Sequence, residues 1–152
     1  MTLNYKVKTA SEEQIYLHLK ECDGNFTPPL SSRVDLLDYS RKIFQQSISF
    51  EAWQDNDLVG MLNAYLNNAS NRTGFITNVS ILEEYMRKGV ASSLLYMCLE
   101  HARNLGFSRI KLEVSRENSV AIKLYSRAGF KVMEESREYM LMEYEIFRQS
   151  TQ

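Results

Sequence analysis

Cysteine and histidine are almost missing from this sequence, with two of each among 152 residues. Cys22 and Cys98 stand far apart and have no CxxC or CxxxC neighbour, so neither a zinc site nor a disulfide framework is indicated. His18 and His101 have no carboxylate cluster at ligand spacing, and no metal is expected. Proline occurs only as Pro28-Pro29, and there is no low-complexity stretch, repeat or linker that would divide the chain. No apolar run approaches the roughly 18 residues that a membrane span requires, so no membrane partner is expected. The opening Met1 to Lys8 has no apolar segment of the signal-peptide kind, which leads to the expectation of a cytoplasmic protein. An excess of one charge is missing too. Eighteen Lys plus Arg stand against nineteen Asp plus Glu, a balance that argues against a dedicated nucleic-acid binder.

What is present suits one soluble domain. A hydrophobic share of 44% with 24% charged residues excludes general disorder. A chain of this length hides roughly 70% of its unfolded surface when it folds. Alternation of Leu3, Tyr5 and Val7 predicts an opening strand, and Ser11 followed by Glu12-Glu13 predicts a helix over 11–21. Asp23-Gly24-Asn25 breaks that helix. A second is expected over 32–46, capped by Ser31 or Ser32, with Val34, Leu37, Arg41 and Phe44 at helical spacing. Period two then takes over: strands at 48–53 and 58–66 flank the turn Asp55-Asn56-Asp57, and a strand at 74–82 follows the polar loop 67–72. The pattern continues with a helix over 89–105, a strand at 109–114, a helix over 118–128 closed by Gly129, and strands near 130–135 and 138–146. The order β-α-α-β-β-β-α-β-α-β-β makes this an α/β (α+β) chain. A mixed central sheet of about seven strands, flanked on both faces by about four helices, is the expected architecture.

Chemistry enters at residues 76–95. The strand Ile76 to Leu82 feeds a short turn holding Arg87, Lys88 and Gly89, which opens directly into a helix at Val90, Ala91 and Ser92. Amides at a helix start have no intrahelical partner, and the positive end of the helix dipole lies behind them. Such an end binds phosphate or pyrophosphate, and Gly89 permits close approach. Neither a Walker loop nor a GxGxxG turn is present. A second segment adds Asn118 at a helix start, with Ala121 and Tyr125 three and seven residues on. All three share one helix face, and Gly129-Phe130 ends the helix.

These two segments resemble the GCN5-related N-acetyltransferase (GNAT) superfamily. The first is similar to its acyl-CoA motif: Gln or Arg, two residues, Gly, one residue, then Gly or Ala. Gly89 and Ala91 match, and Met86 stands where Gln or Arg belongs. The second is similar to the superfamily's Asn…Ala…Tyr…Gly-Phe segment. The likeness is close over about 48–135, with a coenzyme-binding core at about 74–130. The element order extends it over the whole chain, 1–152, as a single N-acetyltransferase domain.

The resemblance implies acetyl-CoA as cosubstrate and direct attack of a primary amine on its thioester. It implies that the backbone of Arg87, Lys88, Gly89, Val90, Ala91 and Ser92 holds the pyrophosphate. The pantetheine would pair along Val79, Ser80 and Ile81 like an added strand. Amides near Val79 would stabilise the oxyanion, and Asn118 would bond the pantetheine. Tyr125 becomes the acid for the thiolate. Glu113, flanked by Leu112 and Val114, becomes the base, its pKa expected to rise through partial burial. Glu51, Asn78, Tyr85 or a water chain stay open as alternatives. Met86 implies weaker coenzyme binding. The acceptor is a small amine, an amino sugar or a protein N-terminus, with the loop 22–32 and its Asp23 as one wall. A homodimer is left open. The alternative reading is an acyl-CoA-binding regulatory module with little or no turnover.

Overall fold

The computed structural model describes residues 2–68 and 70–146, so that Met1, Ala69 of the polar loop and the last six residues lie outside it. Its elements are β1 (Asn4–Val7), α1 (Glu12–Cys22), α2 (Leu36–Gln46), β2 (Ile48–Gln54), β3 (Asp57–Tyr65), β4 (Thr73–Ile81), α3 (Val90–Asn104), β5 (Arg109–Ser115), α4 (Ser119–Ala128), β6 (Lys131–Glu135) and β7 (Tyr139–Glu145). The expected order therefore holds. The seven strands form one sheet in the order β1-β2-β3-β4-β5-β7-β6. Only β4 and β5 run parallel, joined by the crossover helix α3; every other neighbouring pair is antiparallel.

The first helix begins as its sequence implies. Ser11 accepts from the Gln14 amide, and Gln14 reaches back to the Ser11 amide, a reciprocal capping box. The second does not. It starts at Leu36 instead of Ser32, capped by Asp35, which accepts from the Asp38 amide at 2.9 Å. Ser31 cannot cap it because its amide and hydroxyl are both held by the Asp23 carboxylate, at 2.7 and 2.6 Å. Leu30–Ser32 form a separate 3₁₀ turn.

Two apolar layers flank the sheet. Ile15, Leu19, Leu30 and Ile43 from the α1–α2 side pack on Trp53, Leu58 and Met61. On the other face Val90, Leu94, Leu95, Cys98 and Tyr125 from α3 and α4 pack on Leu62, Ile76, Ile110, Leu112, Val114 and Met142. Each fully buried Leu or Ile contributes about 1.5–3 kcal/mol relative to exposure. In β5 the alternation is regular: Ile110, Leu112 and Val114 face inward, while Arg109 and Glu113 are exposed.

Two departures from a regular ladder shape the middle of the sheet. In the β3–β4 pairing Asn63 faces Asn78 and Ala64 faces Ile76, so Thr77 is an extra residue that bulges β4. The β4–β5 pairing then ends at Ile76 opposite Leu112. Beyond that point β4 stays on β3 as far as Ile81, and β5 stays on β7 as far as Ser115. A gap opens between them.

Glu51 is fully buried at the β1–β2 edge of the sheet. It accepts from the Thr9 and Ala10 amides, both at 3.0 Å, from the Thr9 and Ser49 hydroxyls, both at 2.5 Å, and from Trp53 Nε1 at 3.0 Å. Replacing it by Ala strands these donors, each worth about 1–3 kcal/mol when left unpaired and buried. Glu51→Ala is therefore expected to lose at least about 3 kcal/mol in urea unfolding.

Candidate active site

The gap presents bare backbone. The Leu82 amide donates to the Val59 carbonyl at 2.9 Å, so alternation turns the polar groups of Ser80 and Asn78 toward β3. Those of Val79 and Ile81 turn the other way, into the space that β5 has left. Ser80 is thus removed from the expected coenzyme edge: its backbone serves β3, and its hydroxyl meets His18 of α1 at 2.9 Å. The side chains of Val79 and Ile81 pack into the α3 layer, leaving their backbone as the exposed chemistry of the edge.

Where β4 ends, a turn at Glu83–Tyr85 leads into Met86, Arg87, Lys88 and Gly89. Arg87 has φ +61° and Gly89 has φ +81°. These left-handed residues wind the chain so that the amides entering α3 gather on one side, a concave arrangement suited to an anion. Gly89 is the N-cap of α3 and no side chain caps the helix, which leaves the Val90, Ala91 and Ser92 amides without an intrahelical partner. A Cβ at Gly89 would meet nothing within 4 Å, so the space before the helix is open. The Arg87 and Lys88 side chains are exposed, and neither forms an ion pair among the described residues. Met86 packs against the core and brings no polar group to this end.

From here a cleft of about 560 Å³ runs between α3 and α4, lined by Ser92, Leu95, Tyr96, Ser119, Lys123 and Arg127 among others. Asn118 caps α4 by accepting from the Ala121 amide at 3.1 Å. Its Oδ1 is therefore engaged, and only Nδ2 is left to meet a ligand. One turn further on, Tyr125 is buried, with Phe130 at 5.7 Å between ring centroids. Its hydroxyl makes no hydrogen bond among the described residues, and burial pushes the phenol pKa well above its ordinary value. Tyr125 is thus a neutral phenol throughout the physiological range, as a proton donor must be.

Glu113 lies on the opposite face, beside the gap. It is exposed, so the partial burial expected from the sequence is not realised: α1 and α2 cover β2 to β4 and leave β5 open. Its surroundings still single it out. Across the β5–β7 ladder Arg109 faces Glu145 and Lys111 faces Glu143, each cation opposite an anion, but Glu113 faces Leu141. The carboxylate nearest the gap has no cation across from it.

The other expectations are resolved by their partners. Glu51 is surrounded by structural donors. A carboxamide such as Asn78 is no base at physiological pH, and Tyr85 sits half-buried in the turn after β4. Asp23, expected to meet an ammonium, clamps Ser31 instead. Two residues went unanticipated. Tyr39 of α2 donates to the carbonyl of the bulged Thr77 at 2.9 Å and meets its hydroxyl at 2.8 Å. His18 of α1 reaches Ser80. A lone Tyr or His within a helix pattern gives no hint of contact with a strand some 40 or 60 residues away.

Residues 13–130 match the acetyltransferase (GNAT) family. The chain is 33% identical over 106 residues to GCN5-related N-acetyltransferase 6, chloroplastic, of Arabidopsis thaliana, a match covering 69% of this chain and 36% of that protein. It is 36% identical over 69 residues to the N-alpha-acetyltransferase of Saccharolobus solfataricus, covering 45% of this chain and 41% of that one. The chain thus spans well under half of these curated relatives. Among solved structures, the PaiA N-acetyltransferase of Thermoplasma acidophilum in complex with coenzyme A superposes with a TM-score of 0.75 at 16% identity, covering 95% of this chain and 99% of the other. That likeness is one of fold.

Burial also raises the phenol of Tyr39, to about 12 from an ordinary value near 10. Above pH 10 the unfolded chain sheds protons that the folded chain keeps, so stability falls as pH rises from about 10 to 12. Tyr39→Phe is expected to flatten that fall in denaturant titrations at pH 9, 10.5 and 11.5.

Proposed function

This chain belongs to the acetyltransferase (GNAT) family, and on that premise we propose that it moves an acetyl group from acetyl-CoA to a primary amine. The observation that carries this reading is the combination of an uncapped, unobstructed α3 start with a bare backbone edge one turn upstream, at the parting of two strands. The amides of Val90 to Ser92 offer donors to a diphosphate, with Arg87 and Lys88 adding charge. The polar groups of Val79 and Ile81 offer strand-like pairing to an extended amide-bearing arm. Lys123 and Arg127 put positive charge along the α3–α4 cleft, where the rest of a phosphorylated nucleotide would lie.

The chemistry follows from which face each group occupies. The coenzyme lies on the α3–α4 face, and the amine comes through the gap from the face that carries Glu113. Amine nitrogen bonds to the thioester carbon while the Val79 amide stabilises charge on the carbonyl oxygen. The C–S bond then breaks, and the departing sulfur takes the Tyr125 proton. Glu113, directly or through water, takes the proton that the amine nitrogen must lose. An exposed carboxylate with no cation opposite is free to do this and also to attract an ammonium. Relatives that are N-alpha-acetyltransferases favour a peptide N-terminus as acceptor over a small amine or an amino sugar. A cytoplasmic setting fits two buried, unpaired thiols at Cys22 and Cys98.

The test is thiol release from acetyl-CoA with a panel of peptides, polyamines and amino sugars. Turnover with at least one acceptor is expected, and Tyr125→Phe should lower kcat by about 100-fold or more. Full activity in that variant removes Tyr125 from the mechanism. Acetyl-CoA binding by calorimetry with no thiol release across the panel favours a coenzyme-binding regulatory module. No binding at all overturns both.

A further inference from the structure

A chain of buried polar side chains runs beneath α1 and α2 from His18 to Ser47 and passes the gap at Asn78. His18 is buried, and burial lowers its pKa, so the ring is neutral. Nδ1 lies 3.0 Å from the Leu58 carbonyl and Nε2 lies 3.2 Å from the Ser80 carbonyl; carbonyls can only accept, so the single ring proton serves one of the two. Nε2 also meets the Ser80 hydroxyl at 2.9 Å. Ser80 Oγ accepts from Asn78 Nδ2 at 3.2 Å. The second Nδ2 hydrogen of Asn78 goes to Asn63 Oδ1 at 3.0 Å. Asn63 Nδ2 donates to Ser47 Oγ at 3.2 Å, and Ser47 donates to the Ile43 carbonyl at 2.6 Å. The Ile43 carbonyl thus sets the direction from the Ser47 end, and turning the Asn78 amide over would set oxygen against oxygen at Asn63.

One atom is left over. Asn78 Oδ1 is sealed from water and has no hydrogen-bond partner among the described residues. A buried acceptor without a donor costs free energy and calls for an explanation. Its two hydrogens hold Nδ2 toward Asn63 of β3 and Ser80, so Oδ1, the other arm of the planar amide, is turned away from both. Asn78 comes directly after the bulged Thr77 and directly before Val79. Both neighbours are only partly buried, so the gap reaches solvent within one residue of the orphaned oxygen.

We infer that Asn78 Oδ1 receives a hydrogen bond from the acceptor's amino group and is a binding and specificity residue for primary amines. This rests on the amine-acceptor reading given above. A neutral carbonyl suits the task. It accepts an N–H and so orients the nitrogen lone pair, yet unlike a carboxylate it does not strongly favour the unreactive ammonium form.

The first experiment needs no turnover. n-Butylamine is titrated into CoA-loaded, nitrogen-15-labelled protein, and the Asn78 side-chain amide resonance is followed. A saturable shift is expected; its absence overturns the inference even if the enzyme proves active. Kinetics with n-butylamine and an alanine-starting tetrapeptide amide supply the second arm. Asn78→Ser should raise KM for the amine about tenfold while the Kd for CoA stays within about twofold. Asn78→Asp should move the rising limb of kcat against pH upward by about one unit, because a carboxylate at that place favours the bound ammonium. An unchanged amine KM in Asn78→Ser, or an equal loss of CoA affinity, shows that Asn78 only supports the strand and overturns the inference. Should wild type release no thiol with either probe, the reaction reading fails, and the titration alone decides the binding site.

Discussion

Everything functional in this molecule depends on two neighbouring strands failing to stay together. Parallel β4 and β5 pair only as far as Ile76 and Leu112, and one extra residue at Thr77 bends β4 onto β3 while β5 continues with β7. A sheet with every edge paired has no backbone to spare. By parting its strands in the middle, this one exposes the polar groups of Val79 and Ile81 beside a helix start and between two differently built faces. The bulge is held in place from the α1–α2 side, where Tyr39 binds the Thr77 carbonyl and His18 binds Ser80, one residue to either side of the Asn78–Val79 pair.

The two faces divide the labour. On one, α3 and α4 meet the sheet through an apolar layer and leave a cleft with cations along it and uncapped amides at its head. That combination suits a long, phosphorylated carrier. On the other, the helices stop short of β5 and β7, so that Glu113 stands in the open, and a buried run of amides, hydroxyls and one imidazole leads up to the gap. On the proposed reading, a nucleophile arrives there and loses a proton. Tyr125, buried and un-ionised, stands on the α3–α4 side.

Much of this was legible beforehand because it is local. Period two and period 3.6 placed all eleven elements in order. Gly129, expected to close α4, takes the left-handed conformation that suits a helix end. What went astray was a matter of competition among neighbours. Ser31 or Ser32 looked like the cap, but Asp23 holds Ser31 and the Ser32 hydroxyl bonds to the Pro29 carbonyl, which leaves Asp35 to start α2. Glu113 looked half-buried because its strand neighbours are apolar, but burial on its own face depends on whether a helix covers it, and none does. Ser80 alternates into the coenzyme edge only if the strand has no bulge; the extra Thr77 sets the register that turns it to β3 and α1.

The sequence by itself determined the elements, the loop that opens α3 and the shared face of Asn118 and Tyr125, since each rests on spacing within one turn or one strand. The tertiary structure alone decided where β4 and β5 separate, which carboxylate is left without a cation, and which polar atom at the gap is left without a donor. Those are outcomes of pairing between residues 15 to 62 positions apart, and pairing of that range is settled only when the layers close on the sheet.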